Sequence, residues 1–174
     1  GYCIMGLRES SLGGRIGVLP WEAPMQEAID ACRRGTVQWI KGNLDRAIQF
    51  FDEAIRLDAG YARAYCNRGS VQIAKRCFDA AVADLTKAIQ LDANYARAYN
   101  NRGYAHFKLG GLEKAVADFS EAIRLDPDYM EAYQNRCEVF GALGELEESQ
   151  RDHDRYKEIQ ERRRRLATGG RASG

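Results

Sequence analysis

An internal repeat of 34 residues constrains the fold of this chain more than any other feature. Residues 62–95 and 96–129, aligned without a gap, agree at 16 of 34 positions. The shared residues span the whole unit, with ARAY and NRG at its start, AVAD in its middle, and AI, LD and a final tyrosine. This period in a helical pattern predicts stacked helical hairpins, because one hairpin cannot bury its apolar face alone.

The same period divides most of the chain into four units, which begin at Ala28, Ala62, Ala96 and Met130. Each unit is split near its middle by a break in the helical pattern. We therefore predict an all-α fold, a right-handed α-solenoid of antiparallel helix pairs. The helices are expected near residues 24–41, 44–57, 61–75, 78–91, 95–109, 112–125, 129–143 and 145–165.

The breaks have the residues expected at helix C-termini. Gly42, Gly110 and Gly144 stand where a helix commonly ends in the left-handed conformation, which glycine adopts at little steric cost. The second break has Arg76 at this place, so the second turn departs from the rule.

The two ends of the chain lack the repeat. Residues 1–23 contain five glycines and no sustained period, which predicts an irregular N-terminal segment. The array is expected over residues 24–165, with units 28–61, 62–95 and 96–129 and a capping unit at 130–165. Residues 166–174 are predicted to form a flexible tail.

The units resemble tetratricopeptide repeats over about residues 28–156. That family has small residues at positions 8, 20 and 27 of each unit, where two helices approach closely. The matching residues are Gly35, Gly69 and Gly103 at position 8, Ala47, Ala81 and Ala115 at position 20, and Ala54, Ala88 and Ala122 at position 27. The resemblance implies a solenoid that binds other proteins and is not an enzyme.

Position 7, usually leucine in this family, holds arginine in every unit, and position 23 holds aspartate in three of the four. These positions should face each other across a hairpin, so we predict the ion pairs Arg68–Asp84, Arg102–Asp118 and Arg136–Asp152. Arginine suits this role because its planar guanidinium can bind a carboxylate through two hydrogen bonds. The alternative is that each arginine extends along its aliphatic stem to solvent.

By the resemblance, the first helix of each unit lines the concave surface of the solenoid. Residues at positions 2, 5, 6, 9, 12 and 13 of that helix are then candidates for contact with a partner. The candidates are Arg63 and Arg97 at position 2, Asn67, Asn101 and Asn135 at position 6, Tyr104 at position 9, Trp39, Ile73 and Phe107 at position 12, and Lys108 at position 13.

Two groups of these candidates have more than one interpretation. The position-12 residues form either an apolar ladder for a partner or part of the core. The asparagine amides, which both donate and accept, either pair with the backbone of an extended peptide or bond to the neighbouring helix or to water. The three cations favour an acidic partner, because a guanidinium can grip a carboxylate.

The predicted function is a protein–protein interaction module, a scaffold or adaptor that binds an extended or helical segment of a partner in its concave groove. The alternative is a structural or self-assembling repeat unit, or one arm of a larger complex. Some members of the family hold a C-terminal carboxylate in a five-residue clamp. Here the clamp places hold Cys32, Thr36, Asn67, Arg97 and Asn101. Only Asn67 and Arg97 match, so we do not predict that clamp.

Other classes of function have little support in the sequence. No catalytic, cofactor or metal site is predicted, since the two histidines lie in different units. The net charge of +1 makes nucleic acid an unexpected partner, and no apolar run is long enough to cross a membrane. Five cysteines without metal-binding spacing favour a cytoplasmic protein with free thiols. The run of arginines at 162–165 is either solvated or a small contact for nucleic acid or an acidic surface.

Overall fold

The computed structural model describes residues 23–169, and that part of the chain is all helical. The helices are α1 Ala23–Ile40, α2 Leu44–Leu57, α3 Ala62–Ala74, α4 Phe78–Leu91, α5 Ala96–Lys108, α6 Leu112–Leu125, α7 Met130–Leu143 and α8 Leu146–Gly169. Each helix packs against the next, and α1, α3, α5 and α7 also contact one another in order. The predicted all-α repeat solenoid is confirmed, and the helix ends lie within one residue of prediction except at the end of α8.

The end of α8 corrects the predicted tail. The helix continues to Gly169, so residues 166–169, expected to begin a flexible tail, are helical. The helix can continue because Leu166 and Ala167 are strong helix formers. The loss of apolar residues facing the core does not by itself end a helix. The predicted irregular segment lies outside the described residues except for Ala23, which begins α1, and residues 170–174 also lie outside them.

The small residues of the repeat allow the two helices of each hairpin to pack closely. The six alanines at positions 20 and 27 are completely buried. A β-carbon added at Gly103 would lie 2.8 Å from Cε1 of Phe119, and one added at Gly69 would lie 2.8 Å from Cγ of Leu85. These contacts confirm that position 8 must stay small, because the residue at position 24 of the facing helix fills the space.

All four turns within the hairpins have the same backbone geometry. In the first, Gly42 N–H donates to the carbonyl of Trp39 and Asn43 N–H to that of Gln38, both at 2.9 Å. The glycines of three turns have φ of 79° to 81°, and Arg76 occupies the same left-handed region at 62°. The second turn, which departs from the glycine rule, therefore has the same geometry as the others, with a strained residue where they have glycine.

Ion pairs with two hydrogen bonds each connect the helices of the last three hairpins, as predicted. Arg102 Nε and Nη2 donate to the two carboxylate oxygens of Asp118 at 2.9 and 2.7 Å. Equivalent pairs form between Arg68 and Asp84 and between Arg136 and Asp152. The three aspartates are buried, so the alternative in which the arginines only extend to solvent is wrong.

Each of these arginines also bonds to the preceding unit. The Nη1 group of Arg136 donates to Ser120 Oγ at 2.8 Å, that of Arg102 to Thr86 Oγ1 at 3.2 Å, and that of Arg68 to Asp52 Oδ1 at 2.5 Å. All three acceptors occupy position 25 of the unit before. A single side chain thus connects both helices of its own hairpin to the neighbouring hairpin.

The arginine run near the end of α8 contacts the turn between α6 and α7. Arg162 Nη2 lies 2.5 Å from Asp128 Oδ1, and Arg163 Nη2 donates to the backbone carbonyl of Asp128 at 2.8 Å. The hydrogen bond from Arg162 lowers the pKa of the Asp128 carboxyl below its usual value. At least these two arginines therefore bind within the protein, an outcome that neither sequence interpretation included.

Candidate binding groove

Two adjoining cavities lie along the first helices of the four units. The larger, of about 490 Å³, is lined by residues of α1, α3, α5 and α7 and by Tyr129, which immediately precedes α7. The smaller, of about 420 Å³, shares Trp39 and Arg97 with it. The shared residues make the two cavities one continuous depression, which we call the inner groove.

Most of the predicted contact residues line the inner groove. Trp39, Ile73, Arg97, Asn101, Tyr104 and Asn135 line the larger cavity, and Arg63 and Asn67 line the smaller one. Lys108 lines a third cavity of about 340 Å³ that shares Ile73 and Tyr104 with the larger one. Phe107 lines none of these three cavities.

All three position-12 residues are half-buried, and two of them line the groove. Trp39 and Ile73 are half-buried, pack against the core on one side and line the groove on the other. Phe107 is also half-buried and packs against the buried cluster that contains Phe119 and Val139, but it lines none of the three cavities. The apolar side chains that line the groove are therefore those of Trp39, Ile73 and Tyr104.

The asparagine amides bond to neighbouring first helices. Asn67 Nδ2 donates to Cys32 Sγ at 3.3 Å, and Asn101 Nδ2 donates to Ser70 Oγ at 2.9 Å. Asn135 Nδ2 donates to Asn100 Oδ1 at 3.0 Å. The amide N–H groups therefore bond to the neighbouring helix, which was the second interpretation. Each asparagine joins its helix to the first helix of the preceding unit. A role in contact with a partner stays a prediction.

The two arginines of the groove are exposed, and one of them is held in place by contacts within the protein. Arg97 Nη2 donates to Asn67 Oδ1, and its guanidinium lies 5.9 Å from the centre of the Tyr95 ring. Arg63 is exposed in the smaller cavity. Burial raises the pKa of Tyr129 to about 12, so its hydroxyl remains protonated at neutral pH. The groove thus offers guanidinium and hydroxyl donors beside apolar rings.

The larger cavity is also lined by Glu131 and Gln134, which sequence reasoning missed, and by Asn100, which it placed on the concave face without naming it as a contact residue. Glu131 was detectable, because it occupies position 2 of its unit and aligns with Arg63 and Arg97. Asn100 is buried and donates to Asn101 Oδ1 at 3.3 Å, which holds the amide row together. Its signal was its place at position 5, next to the predicted asparagine.

Burial shifts the pKa values of one cysteine and one histidine of the repeats. Burial raises the pKa of the Cys32 thiol, which favours its protonated form. Burial lowers the pKa of His106, whose Nε2 lies 4.0 Å from Asp118 Oδ2 in the ion-pair layer. Over residues 23–169 no cluster of acidic, histidine or cysteine side chains could hold a metal ion. No helix in the same range is long and apolar enough to span a membrane.

The fold and the groove together define an α-solenoid of helical hairpins, a protein-interaction class of repeat protein. Models described as tetratricopeptide repeat match residues 31–61 and 96–129, and a model described as TPR repeat matches residues 78–110. Proteins of curated function give no match.

Solved structures give the same assignment. The second TPR domain of human RPAP3, solved with the HSP70 peptide SGPTIEEVD, is 30% identical with a TM-score of 0.64, over 67% of this chain and 97% of that one. The first TPR of Spaghetti (RPAP3), bound to the HSP90 peptide SRMEEVD, is 28% identical with a TM-score of 0.68, over 69% and 95%. MamA, at 24% identity and a TM-score of 0.74 over 83% and 84%, shares the fold. The chain belongs to the tetratricopeptide repeat family.

Proposed function

We propose that the protein is a scaffold or adaptor that binds an extended segment of a partner protein in the inner groove. The observation that supports this most directly is the continuity of the groove. Its two cavities extend across the first helices of all four units and share Trp39 and Arg97. A segment laid along it would contact every repeat at once.

The lining supplies both affinity and a preference for charge. Trp39, Ile73 and Tyr104 are half-buried in the free protein, so a partner that covers them removes further apolar surface from water. Arg63 and Arg97 lie exposed beside these side chains and would attract carboxylates. Arg97 retains donor groups for a ligand, because a guanidinium has five N–H groups and its bonds to Asn67 and Cys66 do not use them all.

The relatives support the class of ligand but not its identity. The two RPAP3 domains are described with short acidic peptides of HSP90 and HSP70. The clamp for the carboxylate end of such peptides is matched here only at Asn67 and Arg97. We therefore propose that this chain binds a peptide segment in the groove. We do not propose that it binds these HSP90 and HSP70 peptides.

Peptide selection tests the proposal. Short random peptides displayed on phage would be selected on the wild-type protein, and the enriched peptides measured by fluorescence polarisation against Arg63→Glu. We expect about twofold to tenfold weaker binding, because the attraction between Arg63 and a carboxylate of the peptide becomes a repulsion between two carboxylates. The matched control is Lys87→Glu, the same change at an exposed position on α4 outside the groove. Hydrogen exchange should show protection on α1, α3, α5 and α7.

Two results would contradict the groove. Equal weakening by Arg63→Glu and Lys87→Glu would mean that the peptides respond to net charge alone. Protection confined to α2, α4 and α6 would place the binding surface on the second helices. Circular dichroism of both variants checks that the fold is intact.

A further inference from the structure

Charge changes sign along the inner groove. Position 2 of the second and third units holds Arg63 and Arg97, and position 2 of the fourth unit holds Glu131. All three side chains are exposed, and all three line the groove. Among the residues that the structure describes, none of the three forms an ion pair, so each charge can meet a ligand.

The same division appears at the other ends of these helices. Arg76 and Lys108, which follow α3 and end α5, line the third cavity beside Ile73 and Tyr104. On α7 the next exposed charge is Glu138. The second and third units therefore present cations towards the groove, and the fourth unit presents the carboxylate of Glu131.

The spacing of the units sets the spacing of the ligand charges. Adjacent first helices are in contact, which places their axes roughly 8–10 Å apart. A segment in the polyproline II conformation advances about 9 Å in three residues and returns the side chain to the same face. Side chains at i, i+3 and i+6 of such a segment would therefore face three successive units.

We propose that the groove selects an extended segment with two acidic side chains three residues apart and a basic side chain three residues beyond the second. The acidic groups lie opposite Arg63 and Arg97, and the basic group lies opposite Glu131. A wholly acidic segment is disfavoured because its third carboxylate would face Glu131. This inference rests on the proposed function, since it specifies the chemistry of the segment in the same groove.

Two labelled synthetic peptides test the charge order by fluorescence polarisation. One has the sequence EPAEPAK and the other EPAEPAE, and each is also made in the reverse order because the groove leaves chain direction open. We expect the wild-type protein to bind the better mixed-charge peptide about fivefold more tightly than either wholly acidic peptide, since one exposed pair changes affinity by up to about fivefold. Glu131→Lys should reverse this preference.

Glu113→Lys is the matched control, because it makes the same charge change at an exposed position on α6. It should leave the preference for mixed charge unchanged. Equal binding of both kinds of peptide, no binding of either, or an unaltered preference in Glu131→Lys would overturn the charge order. The proposed function would still stand in those cases if selected peptides respond to Arg63→Glu and not to Lys87→Glu. Circular dichroism of Glu131→Lys excludes misfolding as the cause of a change.

Discussion

Replacing Arg76 by glycine should make the protein more stable. Among the non-glycine residues that the structure describes, Arg76 alone has a positive φ. Its turn has the hydrogen bonds of the glycine-containing turns, with Arg76 N–H donating to the carbonyl of Ile73 at 2.9 Å and Cys77 N–H to that of Gln72 at 2.8 Å. The substitution therefore relieves a local conformational cost without changing the path of the backbone.

The size of the effect follows from two opposing contributions. The left-handed conformation costs a residue with a β-carbon roughly 1–2 kcal/mol. Glycine avoids that cost but gives the unfolded chain more freedom, which offsets about 0.4–1 kcal/mol. The net gain should be about 0.5–1 kcal/mol, and for a chain of this length that raises Tm by about 1–4 °C. Because the Arg76 side chain is exposed, little packing is lost with it.

Thermal and urea unfolding followed by circular dichroism would measure the gain, with two control variants. Arg76→Ala removes the long side chain and keeps the β-carbon, so it should leave stability nearly unchanged. Gly110→Ala should lower stability by about 1 kcal/mol, because its φ is 81° and the added β-carbon meets no atom within 4 Å. The explanation by backbone strain is refuted if Arg76→Gly does not gain stability, or if Arg76→Ala gains as much.

Two further predictions concern the layer of ion pairs. Asp118→Ala should lower the free energy of unfolding by about 2–3 kcal/mol. This is somewhat less than the loss expected for a fully buried pair, because the side chain of Arg102 is 19% exposed. An unchanged urea midpoint would contradict burial of the pair. Burial lowers the pKa of His106, so the unfolded chain binds its proton first as the pH falls. Stability should therefore decrease as the pH falls through about 6.5. The decrease should be smaller in His106→Gln. Parallel curves of stability against pH for the two proteins would refute this role.

The repeat alone was enough to predict the fold and the ion pairs. Once the 34-residue period set the register, position 7 of one helix had to face position 23 of the next, and Arg102 and Asp118 are found bonded as expected. The third bond of each arginine, such as that from Arg102 to Thr86, could not be derived from one hairpin. It depends on how the hairpins stack.

The groove was predicted less completely than the fold. The register identified the first helices and most of the residues that line the cavities, including Trp39 and Arg97. It did not show that Asn101 uses its amide on Ser70, because a free row of amides and a bonded one have the same sequence pattern. Glu131 occupies position 2 of its unit, but it was not among the candidates, which at that position were the two arginines Arg63 and Arg97.

The sequence by itself determined the 34-residue register, the helical hairpins and the close approach of their helices at small residues. These features follow from local periodicity and side-chain size, which are properties of the chain at each position. Only the tertiary structure decided that Phe107 packs against the cluster around Phe119 and lines none of the three cavities, that the asparagines bond between helices, and that two arginines and Glu131 line one groove. Those outcomes depend on the rotation and spacing of neighbouring hairpins, which no single unit specifies.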